Sequence, residues 1–163
     1  SFKMLPLIYA CTWQCVAEYY WHRLMHWPAI YKRLHKLHHH YKAPEPFDDL
    51  FIHPLEAIGY YCILFSPVVL VSDFPIVSFF AYMTVMGLCG VCDHSGVSLR
   101  VPWIYNAADH DIHHELFHYN FAFPVVAMDI LHGTYRPAST KLANFNDENA
   151  AEGVKRTLNR KPE

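Results

Sequence analysis

Two runs decide the fold: AIGYYCILFSPVVLVS at residues 57–72 and IVSFFAYMTVMGLCGVC at residues 76–92. Neither holds a charged residue, and only Asp73, Phe74 and Pro75 separate them. Each approaches the roughly 20 apolar residues needed to cross the hydrocarbon of a bilayer. The short break predicts a helical hairpin that returns the chain to the side it left. A large soluble helical core is the alternative. It is the weaker one, because two uncharged runs in tandem are uncommon in a chain of 163 residues.

Upstream, MLPLIYACTWQCVAEYYW at residues 4–21 is apolar except for Gln14 and Glu18. That length predicts a helix that crosses or enters the membrane. A basic, histidine-rich segment follows, with Arg23, Lys32, Arg33, Lys36 and Lys42. Clustered Arg and Lys beside an apolar span mark the cytosolic side. Residues 22–54 and 93–135 then share one face, with nearly all the histidines. The expected architecture is all-α: an integral membrane helical bundle under a cytosol-facing, histidine-rich cap.

Composition agrees. Charged residues make up 17% of the chain, against roughly 25% in soluble domains. The net charge of −2 gives no basic surface for nucleic acid. Five cysteines, at 11, 15, 62, 89 and 92, lie scattered in apolar sequence. An odd, scattered count is no disulfide framework, and Cys89 and Cys92 read as small buried hydrophobes. The length predicts one domain over residues 1–138, with a polar tail over 139–163. The chain starts at Ser1 with no signal peptide, so membrane helices upstream of it are expected to be missing.

The chemistry lies in the histidines, 13 in all. His22 and His26 form an HxxxH. His35, His38 and His39 form an HxxHH, and His110, His113 and His114 form another. On a helix, residues three and four apart share a face, and the adjacent pairs fan apart enough to serve different metals. Eight imidazoles exceed the needs of one ion and suit two. Imidazole accepts iron, zinc, copper or nickel, so ligand type does not name the metal. His94, in Asp93-His94-Ser95-Gly96, is the candidate ninth ligand. His53 is balanced between ligand and donor to a carboxylate such as Glu56. His40, His118 and His132 fall off the spacing and read as surface or supporting residues. Asp111 and Asp129 are candidate acceptors that fix imidazole tautomers.

The order HxxxH, HxxHH, HxxHH resembles the fatty acid hydroxylase superfamily of membrane di-iron enzymes. The finer text is similar to its sterol branch, which includes C-4 methylsterol oxidases, C-5 sterol desaturases and cholesterol 25-hydroxylase. The matching pieces begin with Tyr20-Trp21-His22-Arg23-Leu24-Met25-His26 and Leu34-His35-Lys36-Leu37-His38-His39. Next come Tyr41-Lys42-Ala43-Pro44, His53-Pro54-Leu55-Glu56 and Asp93-His94-Ser95-Gly96. His110-Asp111-Ile112-His113-His114, Asn120-Phe121 and the run from Asp129 to Arg136 complete them. Departures are Ala122 for the usual glycine, Met128 for an aromatic, and His132 where an aromatic often stands.

The resemblance implies two iron ions, O₂ as oxidant, and electrons from NAD(P)H through cytochrome b5 and its reductase or an equivalent carrier. It implies a lipid substrate, a sterol favoured, and the endoplasmic reticulum membrane in a eukaryote. Hydroxylation, desaturation and methyl oxidation share their first hydrogen abstraction, so the outcome stays open. A fatty-acyl or sphingolipid substrate is the alternative within the superfamily. Outside it stand a metal transporter, which predicts ligands within the apolar runs, and a non-catalytic relative, which predicts broken clusters. Neither pattern is present. The terminal Arg160-Lys161-Pro162-Glu163 loosely resembles a dilysine retrieval signal.

Overall fold

The computed structural model describes residues 1–42, 44–98 and 101–138. The tail from 139, with its retrieval-like ending, and Ala43 lie outside these. Helices dominate: α1 (Met4–Met25), α2 (Pro28–Tyr31), α3 (Pro54–Leu70), α4 (Ile76–Asp93), α5 (Ala107–Leu116) and α6 (Ala127–His132). Two 3₁₀ turns, His35–His40 and Asp48–Leu50, lie between α2 and α3. No strand occurs among the described residues; Ile104 and Val125 make a lone antiparallel bridge.

The breaks follow local chemistry. Pro28 and Pro54 sit in the first turns of α2 and α3, where a missing N–H costs nothing. Pro75 immediately precedes α4. Asn106 caps α5, its side chain accepting from the amides of Ala108 and Asp109. Gly133, at φ 67°, ends α6 in the left-handed conformation that favours glycine.

α1 packs against both α3 and α4. His22 and His26 lie at the C-terminal end of α1, Glu56 near the start of α3, and His94 caps the end of α4. The hairpin therefore returns the chain to the histidines, as expected. Close approach of α1 and α3 depends on Gly59, where a Cβ would meet the Trp21 ring at 2.2 Å.

These helices bury a mixed apolar and polar stripe and leave large apolar side chains on their outer faces. α4 buries Ser78, Tyr82 and Met86, a stripe at four-residue spacing. It exposes Ile76, Phe80, Val85, Leu88 and Val91. α1 buries Gln14 and Tyr19 while exposing Leu5, Ile8 and Val16. Inside, the Tyr82 hydroxyl lies 2.8 Å from Gln14 Oε1 and 3.1 Å from the Leu64 carbonyl. Polar groups turned inward and apolar groups outward suit apolar surroundings.

By length and composition, α4 is the one described helix able to cross a membrane; α3 is apolar but has only 17 residues. The span expected at 4–21 does form a helix of 22 residues. It is less apolar than α4, with Gln14, Glu18 and several Tyr and Trp residues within it.

Candidate metal centre

The three histidine clusters meet at the shared helix ends. His22 and His26 come from the last turn of α1, and His110, His113 and His114 from α5. The second cluster departs from the helical expectation: His35–His40 is a 3₁₀ turn with non-helical backbone at His39 (φ −78°, ψ 17°). Three residues per turn eclipse positions i and i+3, so His35 and His38 stack, ring centroids 5.2 Å apart.

All nine expected ligands converge, in two groups. His22, His26, His35, His39 and His113 offer nitrogens within 4.8 Å of one another, as do His38, His94, His110 and His114. Each i, i+4 pair stays within one group. The i+3 member of each HxxHH crosses over: His38 joins the group of His110, and His113 joins that of His35. The two motifs thus exchange one imidazole each and tie the groups together.

The other histidines stand apart from both groups. His53 caps α3, its Nδ1 accepting from the Leu55 amide at 3.2 Å. His40 packs on Tyr41 and Phe51, and His118 is exposed. His132 stacks on Tyr19 at 4.7 Å, so its imidazole supplies a flat face to that ring.

Hydrogen bonds fix the tautomers. Nδ1 of His22, His113 and His114 faces the carbonyls of Phe121, Tyr119 and Tyr41 at 2.9, 2.7 and 3.0 Å. Nδ1 of His35 faces Glu56 Oε1 at 2.5 Å, and that of His94 faces Asp93 Oδ1 at 2.6 Å. Nδ1 of His110 lies 3.0 Å from the Tyr105 hydroxyl, whose own proton goes to the Asn120 carbonyl at 2.7 Å. A carbonyl or carboxylate only accepts, so these Nδ1 atoms carry the protons and Nε2 keeps its lone pair.

The consequence is electrostatic. Nε2 of His110 lies 3.0 Å from Nε2 of both His94 and His114, lone pair facing lone pair. The His113 and His39 nitrogens approach to 3.2 Å in the other group. His22 Nε2 is buried with no partner at all. Such clusters repel unless a cation stands among them. The donor set therefore fits a pair of metal ions.

Protonation does not relieve the crowding. Burial first, then neighbouring imidazoles, pushes His22 down to about 3. The same causes hold His26, His38, His39, His110, His113 and His114 below the usual range. These rings stay neutral near pH 7, as metal ligation requires. His94 differs. Burial pulls it down, but the Asp93 hydrogen bond and the Asp93 and Asp49 charges outweigh this and raise it.

Asp129 holds no histidine directly. It accepts from the amides of Phe121 and Ala122 and from the Thr134 hydroxyl, shaping the loop that presents the Phe121 carbonyl. Asn120, at φ 58° and fully buried, binds the Asp109 and Arg136 carbonyls. The buried carboxylate of α5 is Asp109; Asp111 is half-buried. Sequence reading missed Tyr105 and the carbonyls of Tyr41 and Tyr119, because nothing in residue type marks a backbone acceptor.

A cavity of about 90 Å³ opens beside both groups, between α1, α3, the end of α4 and residues 121–123. His22 and His35 reach it from one group, and His38, His94 and His110 from the other. Trp21, Ile52, Tyr60 and Phe121 supply much of its apolar wall.

The family model described as fatty acid hydroxylase matches residues 7–134, which include all nine converging histidines. The chain belongs to the fatty acid hydroxylase family. A Delta(7)-sterol 5(6)-desaturase of Eremothecium gossypii is 36% identical over 78% of this chain and 36% of its own length. Methylsterol monooxygenase 1 of Rattus norvegicus is 33% identical over 76% of this chain and 42% of its own. Sphinganine C4-monooxygenase 2 of Arabidopsis thaliana is 33% identical over 83% and 54%. The chain thus spans about half the length, or less, of these relatives. No solved structure matches.

Proposed function

We propose that the chain is the catalytic portion of a membrane-bound di-iron enzyme that uses O₂ to hydroxylate or desaturate a lipid, a sterol favoured. The observation that carries this is the pair of lone-pair-facing histidine groups beside a cavity at the end of outwardly apolar helices. Sterol relatives predominate among those described, and the sphinganine relative keeps a sphingolipid substrate as the second reading.

His22, His26, His35, His39 and His113 would hold one iron, and His38, His94, His110 and His114 the other. The irons supply an oxidant, activated from O₂, strong enough to cleave an unactivated C–H bond, which no side chain can do. The protein's part is positioning. The Nδ1 protons of His22, His35, His94, His110, His113 and His114 stay on their carbonyl, carboxylate and hydroxyl acceptors, which aims their Nε2 atoms inward. The cavity wall holds the reacting carbon against the centre and excludes water.

The exposed apolar faces of α1, α3 and α4 are read as lipid-facing, in an integral membrane bundle. The basic segment after α1 supports a cytosolic side for the histidine cap, at the endoplasmic reticulum in a eukaryote. Electrons would arrive from NAD(P)H through cytochrome b5 and its reductase or an equivalent carrier. A non-catalytic metal-binding membrane protein is the reading of another class; intact clusters opening on a cavity count against it.

The test is purification in detergent with metal analysis and Mössbauer spectroscopy, followed by O₂-dependent turnover of a Δ7-sterol and of sphinganine. About two irons per chain with turnover is the expected result. A single zinc without O₂-dependent turnover overturns the reading.

A further inference from the structure

The cavity, about 90 Å³, corresponds to roughly six to nine waters at about 10–15 Å³ each, space for one end of a lipid. Its lining indicates which end. Four carboxylates face it, Glu18, Asp49, Glu56 and Asp93, and no Lys or Arg does. No Lys or Arg in the lining stands ready to pair a carboxylate or phosphate head.

Three of the four are already engaged. Glu18 accepts from the Gln14 amide, Asp93 from His94, and Asp49 lies 3.9 Å from the His94 ring. Glu56 differs. It is 5% exposed; its Oε1 holds His35, and its Oε2 is buried with no partner. An unpaired buried acceptor is expensive, about 1–3 kcal/mol and more when charged. Glu56 also lies outside both nitrogen groups, so a metal at their centres does not account for the free oxygen. Glu56 lines the cavity, which is the side from which a donor can come.

We propose that Glu56 Oε2 accepts a hydrogen bond from a substrate hydroxyl, so that the lipid enters hydroxyl end first and is oxidised within a few bonds of that hydroxyl. This rests on the lipid-oxidation reading and narrows it to lipid alcohols, whether sterol or sphingoid. Glu56 is then a specificity-determining residue. Because its other oxygen holds His35, one carboxylate sets both the ligand and the substrate in place.

The test compares three forms of a Δ7-sterol on the iron-loaded protein in detergent: the 3-alcohol, its 3-ketone and its 3-O-methyl ether. Sphinganine, its 3-ketone and its 3-O-methyl ether form a second arm, which separates the two sources of the hydroxyl. In whichever arm turns over, the ketone and ether should fall about 100-fold in kcat/KM relative to the alcohol. Glu56→Gln keeps an oxygen for His35 and turns an N–H₂ toward the cavity, replacing acceptor by donor. It should narrow or reverse the alcohol-to-ketone ratio with iron content unchanged.

Each other outcome overturns something definite. Ether turned over as fast as alcohol sinks the hydroxyl contact and leaves the enzyme reading standing. An equal loss on all forms in Glu56→Gln makes Glu56 merely a support for His35. Iron loss in that variant makes it part of the metal shell. Intact iron with no turnover in either arm overturns lipid oxidation itself, and this inference with it.

Discussion

The two nitrogen groups are built differently. The group around His113 gathers five imidazoles and is steadied mainly by backbone, through the Phe121 and Tyr119 carbonyls, with Glu56 on His35. The group around His94 gathers four and is steadied mainly by side chains, Asp93 and Tyr105, with one carbonyl from Tyr41. The first has a donor to spare and supports that point mutation cannot easily remove. The second has no donor to spare, and only the Tyr41 carbonyl is a support of that kind. One centre is robust, and the other can be tuned through its neighbours.

Ligand removal tests this most severely. His113→Ala and His94→Ala should both abolish O₂-dependent turnover while leaving membrane insertion intact. They should differ in metal content. His94→Ala leaves three imidazoles and should purify with about one iron per chain, whereas His113→Ala leaves four and should keep more. Equal iron loss in both would remove the proposed asymmetry. Residual turnover in His113→Ala would refute its assignment as a ligand.

Acid separates the groups next. Seven cluster histidines are held below the ordinary value in the folded state, His22 to about 3. The unfolded chain therefore binds more protons below about pH 6.5, and stability must fall as pH falls. Each such group contributes up to about 1.4 kcal/mol per pH unit in that window. His94, raised instead, opposes the trend: it favours the fold below its unfolded value and loses that contribution as pH climbs through its folded value. The metal-free protein should show a steep fall in Tm from about pH 7 to about pH 5. A flat profile would mean the cluster is solvated rather than buried.

A milder probe is Asp93→Asn, which keeps the shape and weakens the acceptor on His94 Nδ1. Loss of such a partner typically lowers metal affinity about 10–100-fold. Chelator competition should show that loss for one of the two irons only. Loss from both would mean that the groups are coupled through His38 and His113 more strongly than their separate supports suggest.

The contrast also explains what sequence could and could not reveal. Eight of the nine converging histidines were legible because their spacing leaves a period, three and four residues, that a helix or tight turn enforces; His94 was legible only as a polar residue that ends the second apolar run. The hairpin was legible because its runs lack charge. The crossing of His38 and His113 was not, since it depends on where α5 lies against the 3₁₀ turn. Nor were the backbone supports. The Phe121 carbonyl reaches His22 across 99 residues only because Asn120 and Asp129 fold that loop. Asp93 stood beside His94 in sequence and could be read; Tyr105 stood five residues before His110 with no pattern to mark it.

The smallest effect belongs to His53, the one histidine that spacing left undecided. Its Nδ1 caps α3 through the Leu55 amide, and it belongs to neither group. His53→Ala should therefore lower stability by about 1 kcal/mol, the usual loss for a cap, with both irons retained. His53→Asn, which offers an acceptor at the same place, should restore most of that stability. The cap matters to the centre only indirectly. It starts the helix that carries Glu56, and Glu56 holds His35. A fraying first turn would loosen that carboxylate before any ligand moved. His53→Ala should thus raise KM for the lipid alcohol without changing iron content. Loss of an iron instead would make His53 a ligand and the four-histidine group a group of five.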